Sequence, residues 1–379
     1  MSGMKNAFYR GRNMKDKILH VSCGGLGHGG VSAVIFSIVE TLHNQFDFDC
    51  VVFKKHCERE PLFLKYGKLF RISAYNDDGK RHFLELLIRP WRIYWGVFEI
   101  CKCNGYRVIH CHNNMEEGVC LLAAKHAGVP IRIAHSHNTN SPRKKNLIVK
   151  IREYLNRRLI LYAATDRIGC SEVAGFNFFG NTEFKVIYNS VNLDKYKISN
   201  RIEHEKMTFI HVGRYTYQKN QEMVIKVFKK INQTIQTSQL LLVGFGEDKE
   251  KLKKLVCELH LEKSVHMIPG DQVEISKVYA VSDYMIFPSR FEGFGIVLIE
   301  AQAMGLPCFV SEAIQKEADA GLLKYIQLNA GDEVWADTIL KYIKEERSID
   351  KEKLEKQLCQ YSNEVIGKQY ASIYEGITE

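Results

Sequence analysis

The sequence lacks the features that would assign it to several specialised classes of protein. No apolar run approaches the ~18 residues that a membrane-spanning helix needs, and there is no low-complexity segment or solenoid-type repeat. Proline is scarce, at 7 residues. The N-terminus has no apolar stretch typical of a signal peptide, and residues 1–14 are expected to be a mobile leader. What remains is an ordinary globular composition, 45% hydrophobic and 26% charged, in a chain of 379 residues that is long enough for two domains.

The cysteines show no pattern of pairing. There are 11 of them, an odd number, and no two form a C-x-x-C motif. A secreted disulfide framework usually shows an even count at regular spacings. We therefore expect reduced thiols in a cytoplasmic protein.

The net charge of +9 is unevenly distributed. Residues 1–195 contain 29 Lys and Arg against 17 Asp and Glu, a balance of +12, whereas the rest of the chain contains 24 against 27. The basic first half suggests an anionic partner. A basic surface that is simply solvated explains the charge equally well.

Short β-branched runs alternate with helical patterns, which predicts parallel sheets with crossover helices. Two series of strands are separated by the polar segment 192–206, which has the composition of a linker. The sequence therefore predicts an α/β protein with domains at 15–195 and 196–361 and a C-terminal helix within 362–379. The predicted strands lie at residues 17–21, 48–53, 107–110, 131–135, 167–169 and 185–187, and then at 208–212, 239–243, 264–267, 284–287 and 307–310.

The strongest candidate site lies at residues 288–301, where a strand, a glycine-containing loop and a helix follow one another. The start of such a helix can face an anion. Glu292 lies on the loop, whereas Glu300 lies within an otherwise apolar helix, where a carboxylate costs desolvation energy unless something pairs with it. Sugar hydroxyls are suitable partners for a carboxylate, although a cation or water would also serve.

Two other loops also follow strands. The glycine-rich loop at 24–30 could bring backbone N–H groups to a phosphate, or it could be a tight turn alone. Arg214 and Lys219 follow the first strand of the second series, at the edge where open α/β sheets bind ligands. These two cations could neutralise a diphosphate, or they could be solvated surface charges. The glycine spacing differs from the G-x-G-x-x-G of dinucleotide-binding oxidoreductases, which are therefore disfavoured.

Histidines follow two strands of the first series. His110 and His112 alternate on one strand and His135 and His137 on another, so each pair points to one side of the sheet. Zinc is one interpretation. Because no fourth ligand is evident, hydrogen bonding or proton transfer is favoured.

Taken together, these motifs resemble the family-4 retaining glycosyltransferases of the GT-B fold. The resemblance extends from about residue 17 to residue 374. The segment 292–300 matches the family's E-x7-E within the run F-P-S-x-x-E-G-F-G-x-x-x-x-E-A. The loop 213–219 matches G-R-x-x-x-x-K, and residues 188–191 match the N-G-V of the interdomain hinge, with Ser190 where glycine is usual.

The resemblance implies two facing Rossmann-like domains, with the C-terminal helix crossing back onto the first. It assigns Glu300 to the ribose hydroxyls of a nucleotide-sugar donor and Glu292 to the donor sugar. Arg214 and Lys219 would bind the leaving diphosphate and stabilise its developing charge. The remaining predicted site residues are His135, which would line the sugar pocket, Gly25, which would approach the phosphate, and the backbone of Gly293, Phe294, Gly295 and Ile296.

Members of this family retain the anomeric configuration and need no metal, so neither a metal nor a cofactor is expected. A UDP-sugar is the favoured substrate. The Asp-Phe-Asp triplet at 47–49 resembles the metal-binding D-x-D of other glycosyltransferases. Since it leads into a strand far from the donor motifs, it is interpreted as the start of that strand. The predicted catalytic residues are His135, Arg214, Lys219 and Glu292.

The acceptor side is less specified. Residues 143–158 form a basic stretch with an apolar stripe, and residues 89–95 add aromatic side chains. Both resemble features that seat such enzymes on an anionic bilayer, although core-facing stripes with solvated basic backs are an equal alternative. Resemblance and charge together suggest a saccharide or lipid-linked saccharide acceptor in the synthesis of a surface or capsular polysaccharide. They also suggest peripheral association with the inner face of the cell membrane, and no nucleic-acid partner.

Three other functions compete with this one. A nucleotide-sugar epimerase of the same fold would share the donor site but would lack an acceptor. A non-catalytic sugar-binding relative is disfavoured by the intact motifs. A glycosidase is disfavoured because eight residues of helix span ~12 Å, which exceeds the ~5–9.5 Å between the carboxylates of glycosidase pairs.

Overall fold

The computed structural model describes residues 15–73, 83–112, 116–137, 147–345 and 348–377. The first domain contains a seven-stranded sheet in the order β3-β2-β1-β4-β5-β6-β7, in which all paired strands are parallel. Its strands are β1 (Lys17–Ser22), β2 (Asp47–Val52), β3 (Leu69–Arg71), β4 (Val108–His112), β5 (Ile131–Ser136), β6 (Asp166–Gly169) and β7 (Lys185–Val186).

Helices cover both faces of this sheet, as parallel strands joined by crossovers require. One face packs against α3 to α6 in a core that includes Val97, Leu121 and Phe179, and the other face packs against α1 in a core that includes Ile35 and Phe36. The helices are α1 (Gly30–Leu42), α2 (Glu60–Phe63), α3 (Phe83–Asn104), α4 (Glu117–His126), α5 (Leu147–Ala163) and α6 (Glu172–Phe179).

The second domain repeats the arrangement with a six-stranded parallel sheet in the order β10-β9-β8-β11-β12-β13. Its strands are β8 (Thr208–Val212), β9 (Gln239–Val243), β10 (Val265–Ile268), β11 (Tyr284–Phe287), β12 (Cys308–Ser311) and β13 (Leu323–Ile326). Its helices are α7 (Gln221–Thr234), α8 (Lys249–Glu258), α9 (Ile275–Ala280), α10 (Ile296–Ala303), α11 (Gly331–Lys344) and α12 (Lys351–Cys359).

The last helix, α13 (Asn363–Glu375), leaves the second domain and packs against α1 of the first. Its buried side chains Ile366, Tyr370, Ile373 and Tyr374 belong to the same apolar core as α1. Ser362 caps the helix by accepting a hydrogen bond from the N–H of Val365. This helix therefore packs on the first domain although it follows the second in the chain.

The predicted fold class, two parallel α/β domains, is confirmed, and so are the eleven strands predicted from sequence, to within one or two residues. Strands β3 and β13 were missed. Within the described ranges no helix is long and apolar enough to cross a membrane. All eleven cysteines are free thiols. The expected leader, residues 1–14, lies outside the described residues.

Candidate functional site

The predicted motifs meet at the carboxyl ends of neighbouring strands. Strand β8 lies beside β11, so the loop after β8 (residues 213–220) and the loop after β11 (residues 288–295) share one edge of the second sheet. The strand order reverses beside the first strand of each sheet. In the second sheet β8 lies between β9 and β11, and in the first sheet β1 lies between β2 and β4. Open α/β sheets bind ligands at such switch points.

Lys219 and Glu292 form an ion pair that links the two loops. The Lys219 Nζ lies 2.7 Å from the Glu292 Oε1, and the exposed fractions of the two side chains are 17% and 7%. Lys219 Nζ also lies 4.8 Å from the centre of the Phe287 ring. A shielded pair of this kind needs both partners, because removing one leaves a poorly hydrated charge. The pair therefore fixes a cation and a carboxylate at one point of the sheet edge.

Other polar side chains brace the same two loops. Gln218 donates to the carbonyl of Phe291 at 2.9 Å, and Asn220 donates to the carbonyl of Pro288 at 3.1 Å. The guanidinium of Arg290 donates in return to the Asn220 Oδ1 at 2.8 Å. Asn220 begins α7 with φ of 57°, a left-handed conformation that asparagine tolerates better than most residues. The loops thus form one hydrogen-bonded unit.

Arg214 is placed differently from Lys219. It lies on the same loop, but its side chain is exposed, and the structure gives it no hydrogen bond or ion pair with any described residue. The structure therefore brings Lys219 to Glu292 but leaves the Arg214 guanidinium open to solvent.

Glu300 lies on α10, half-buried, and meets two tyrosines rather than a cation. The hydroxyl of Tyr196 donates to its Oε1 and that of Tyr279 to its Oε2, each at 3.2 Å. Burial raises the pKa of Glu300 to about 7, and the two hydrogen bonds oppose that rise. Glu300 is therefore a carboxylate held in one orientation, with a proton that can be lost near neutral pH.

The glycine loop of the first domain joins β1 to α1. Gly25 adopts φ of +75°, and a side chain there would meet the Sγ of Cys57 at 3.0 Å. Its N–H donates to the carbonyl of Ser22 at 3.0 Å, so the residue closes a tight turn. Side chains added at Gly24, Gly29 or Gly30 would meet nothing within 4 Å, which means that the backbone beside Gly25 borders open space.

Several contacts between the two domains involve the loop of residues 288–295. Ser171, which caps α6 in the first domain, donates to the carbonyl of Gly293 at 2.7 Å. The rings of Tyr188 and Phe294 stack at 5.4 Å. Gly295 adopts φ of +91° directly before α10, whose first residue is Ile296. The first domain therefore contacts this loop of the second domain directly.

Ser190, the departure from the family's hinge glycine, has a structural explanation. The Ser37 hydroxyl of α1 donates to the Asn363 Oδ1 at 2.8 Å, and it lies 2.5 Å from the Ser190 hydroxyl. Since the Ser37 proton is already used, Ser190 donates to Ser37. The extra hydroxyl therefore ties the hinge to α1 and to the start of α13.

The histidines of the first domain form a fully buried cluster, which includes a member that the sequence did not suggest. His20 of β1 joins the four predicted histidines: its Nδ1 lies 2.9 Å from the His112 Nε2, and the His112 Nδ1 lies 2.9 Å from the His137 Nε2. The His110 Nε2 lies 3.1 Å from the His135 Nδ1. Burial lowers the pKa of His20 and His137 to about 3, and it lowers the pKa of the other three well below 6.5.

The cluster admits two interpretations. Two groups, one of His20, His110 and His112 and the other of His112, His135 and His137, place their ligand atoms within 4.8 Å of one another, as a transition metal would require. Neither group contains a carboxylate, so an ion there would bring its charge into the core with neutral ligands only. The buried Glu117 carboxylate lies beside the cluster, but it accepts a hydrogen bond from the backbone N–H of His135 at 2.9 Å. Ring-to-ring hydrogen bonds between neutral imidazoles account for the same distances without that cost, and we favour them.

The Asp-Phe-Asp triplet at residues 47–49 has a structural role at the start of β2. Asp47 is exposed at the start of β2. Asp49 accepts hydrogen bonds from the Tyr106 hydroxyl and from the N–H of Lys68, each at 2.6 Å. The interpretation of this segment as a strand start is confirmed.

An apolar and basic surface lies on α3 and α5. Trp91 and Trp95 are 64% and 52% exposed, so these side chains do not face the core. Arg89 of α3 and Arg152 of α5 both contact the Glu116 Oε1, at 2.9 and 3.0 Å, which joins the two helices beside the exposed side chains. The exposed apolar residues of α5 are Leu147, Ile148, Ile151, Tyr154, Leu155 and Tyr162.

Because these side chains are exposed, the alternative interpretation, in which the apolar stripes face the core, is wrong for them. An amphipathic helix on a globular core turns its apolar face inward, whereas α5 exposes most of its apolar residues. The predicted basic residues at 143–145 lie outside the described residues. We call the exposed side chains of α3 and α5 the α3–α5 surface.

Sequence reasoning missed three residues of these two sites, Tyr196, Tyr279 and His20. Tyr196 and Tyr279 approach Glu300 from the linker and from α9, which only the tertiary fold could reveal. His20 has a weak signal in retrospect, because it lies in register with His110 on the neighbouring strand.

The chain is similar to proteins that are named as glycosyltransferases. Residues 193–357 match the family model described as Glycosyl transferases group 1. The chain is 28% identical over 346 residues to EpsF of Bacillus subtilis (strain 168), a provisionally named glycosyltransferase, with 86% of this chain and 87% of EpsF covered.

A second relative carries a specific name, and a solved structure matches the fold. The chain is 28% identical over 326 residues to the UDP-Gal:alpha-D-GlcNAc-diphosphoundecaprenol alpha-1,3-galactosyltransferase of Escherichia coli, covering 78% of this chain and 79% of that enzyme. The crystal structure of HepE from Anabaena in complex with UDP and glucose superposes with a TM-score of 0.74 at 18% identity, covering 96% of this chain and 100% of HepE.

Proposed function

We propose that this chain, a group 1 glycosyltransferase of the GT-B fold, transfers a sugar from a UDP-sugar to a saccharide acceptor with retention of anomeric configuration. The acceptor is a lipid-linked saccharide, and the transfer is a step in the synthesis of a surface or capsular polysaccharide. The observation that carries this proposal is the Lys219–Glu292 pair at the switch point of the second sheet.

Lys219 and Arg214 would bind the donor's diphosphate. A cation at the carboxyl edge of the sheet stabilises the charge that grows on the diphosphate as its bond to the sugar breaks. Lys219 is already oriented by Glu292, whereas the exposed Arg214 is free to turn toward a ligand. The start of α10 at Ile296 adds backbone N–H groups that point toward an anion.

The two glutamates would bind different parts of the donor. Glu300 would accept hydrogen bonds from the ribose hydroxyls, in the orientation that Tyr196 and Tyr279 impose. Glu292 would face the transferred sugar, beside the backbone of Gly293, Phe294 and Gly295. Gly25 and its neighbours would approach the phosphate from the first domain, where the backbone borders open space.

His135 would contact the transferred sugar. It lies near the carboxyl end of β5, and its Nε2 has no hydrogen-bond partner among the described residues. With two cations to stabilise the leaving group and no D-x-D motif at the donor loops, the reaction would proceed without a metal.

The α3–α5 surface would rest on an anionic bilayer, where a lipid-linked acceptor is found. Exposed tryptophans suit the interface between headgroups and acyl chains, and the exposed Arg92, Lys150 and Arg158 would contact anionic headgroups. The named acceptor of the E. coli relative, a diphosphoundecaprenol-linked sugar, supports this proposal.

Ligand binding and product analysis test the function. UDP should raise the melting temperature by mass action, and it should do so more than GDP or ADP at equal concentration. Radiolabelled UDP-galactose and UDP-glucose should then give label in a lipid-extractable product when an undecaprenyl-diphosphate sugar is added. Isomerised donor without transfer would indicate an epimerase, and UDP binding without any turnover would indicate a non-catalytic relative.

A further inference from the structure

The buried cluster contains a line of hydrogen bonds that begins on the C-terminal helix and ends at His135. The hydroxyl of Tyr374 lies 2.8 Å from the His110 Nδ1. The His110 Nε2 lies 3.1 Å from the His135 Nδ1. The line stops there, because the buried His135 Nε2 has no partner in the part of the chain that the structure describes.

The protons along this line can be assigned. A neutral imidazole carries one N–H and one bare nitrogen, and burial keeps both histidines neutral by lowering their pKa. The only recorded partner of the Tyr374 hydroxyl among the described residues is His110. If Tyr374 donates, the His110 proton lies on Nε2 and is donated to the His135 Nδ1, so the His135 proton must lie on Nε2.

In the free protein each order leaves one buried donor unpaired. If Tyr374 donates, that donor is the His135 Nε2–H. If His110 donates from Nδ1, it is the Tyr374 hydroxyl, which has no other recorded partner among the described residues. An unpaired buried donor loses the full hydration of that group, so a sugar oxygen beside His135 favours the order in which Tyr374 donates.

We propose that Tyr374 is a positioning residue, which through His110 holds His135 in the tautomer whose Nε2–H is free to donate to a hydroxyl of the transferred sugar. This inference rests on the proposed function, since it needs a sugar beside His135. In that tautomer the Nε2–H remains unpaired in the free protein, and a sugar oxygen restores the missing hydrogen bond. The docking of α13 onto the first domain thereby becomes part of the sugar site.

The chain provides a matched control one turn earlier on the same helix. Tyr370 is buried like Tyr374, and its ring lies 5.7 Å from His110 and 6.0 Å from His135. Its hydroxyl, however, has no hydrogen-bond partner among the described residues. Tyr374→Phe and Tyr370→Phe therefore remove the same atom from the same core, and only the first breaks the line to His135.

The tautomer is measured directly by 15N NMR of protein labelled at histidine, in which N–H and bare nitrogens give distinct resonances. With a UDP-sugar bound, the wild type and Tyr370→Phe should both show His135 protonated at Nε2, and Tyr374→Phe should show a mixture of tautomers. With the UDP-sugar that supports transfer, chosen among UDP-glucose, UDP-galactose and their N-acetyl derivatives, kcat should fall about tenfold in Tyr374→Phe only. The affinity for UDP should stay within about twofold, because UDP carries no transferred sugar.

Two outcomes would overturn the positioning role. One is an unchanged His135 tautomer in Tyr374→Phe, and the other is an equal loss of kcat in both variants, which would indicate packing alone. Failure of the proposed function has a different signature, because no UDP-sugar would then be turned over by the wild type whatever the tautomer.

Discussion

The ammonium group of Lys219 lies 2.7 Å from a carboxylate oxygen of Glu292, and the two residues stand 73 positions apart in the chain. Each comes from the loop that follows one of two adjacent strands. Because Glu292 is 5% exposed, the pair is a structural element as well as a candidate catalytic one. Its two roles can be separated by mutation.

Lys219→Met should destabilise the protein by about 1–3 kcal/mol, because the Glu292 carboxylate loses its cation while it stays shielded from water. Adding Glu292→Gln should recover much of that loss, although the double variant should remain inactive. Urea denaturation measures both changes. Lys368→Met, which breaks an exposed ion pair with Glu364, is the control and should change nothing measurable. Equal destabilisation by the single and double variants would show that the pair is not coupled.

The buried histidines should make the protein labile to acid. Burial holds the pKa of these histidines in the folded protein below the unfolded value of 6.5, and lowers it to about 3 for His20 and His137. As the pH falls below 6.5, the unfolded chain therefore binds more protons than the folded protein. Stability is then present above that pH and is lost below it, at about 1.4 kcal/mol per histidine per pH unit. Denaturant titrations between pH 8 and pH 5 should show a steep fall that begins near pH 6.5.

The exposed His266 offers a control for that titration. His266→Gln should leave the pH dependence unchanged. A free energy of unfolding that stays constant between pH 7 and pH 5.5 would mean that the cluster is not neutral and buried.

Transfer activity should survive excess EDTA, because two cations are proposed to stabilise the leaving diphosphate in place of a metal. The melting temperature should also be unaffected, since the histidines pair with one another. Loss of activity that manganese or magnesium restores would contradict metal independence. A drop in melting temperature that zinc reverses would support a metal among His20, His110, His112, His135 and His137.

The α3–α5 surface should give affinity for anionic membranes. In flotation assays the protein should bind vesicles that contain phosphatidylglycerol but not vesicles of phosphatidylcholine alone, since each basic residue near an anionic surface contributes roughly 1 kcal/mol. Replacing Trp91 and Trp95 by serine should reduce the bound fraction. Val334→Ser, at a side chain 49% exposed on the second domain, should not. Equal binding to both vesicle types, or to neither, would refute the electrostatic account.

The sequence predicted the fold well where the chain is buried on both faces. Central strands such as β1 and β8 are buried along almost their whole length and are mostly apolar, the pattern of parallel sheets. The two strands that were missed, β3 and β13, each lie at one edge of their sheet, although the strands at the opposite edges, β7 and β10, were predicted. An edge strand such as Leu69–Arg71 is three residues long and only partly buried, so its composition differs little from that of a loop.

The site was predictable where chemistry depends on neighbours in the chain and not where it depends on the fold. The motifs around Lys219 and Glu292 are local, and their meeting follows from the adjacency of β8 and β11. Nothing local marks Tyr196 or Tyr279 as partners of Glu300, or Tyr374 as a partner of His110, because other segments of the chain supply them. The sequence therefore identified the charged groups but not the hydroxyls that orient them.

The division of labour between Glu292 and Glu300 is the central claim, and calorimetry with UDP at pH 8 combined with initial rates tests it most directly. A contact to the unreacting ribose acts equally in ground and transition states, so Glu300→Gln should weaken UDP binding and raise KM. Glu292→Gln should bind UDP nearly as well as the wild type yet slow turnover by ~100-fold or more, since Glu292 is proposed to face the sugar whose charge changes during the reaction. Loss of UDP affinity in Glu292→Gln with full affinity in Glu300→Gln would contradict the account and reverse the two assignments.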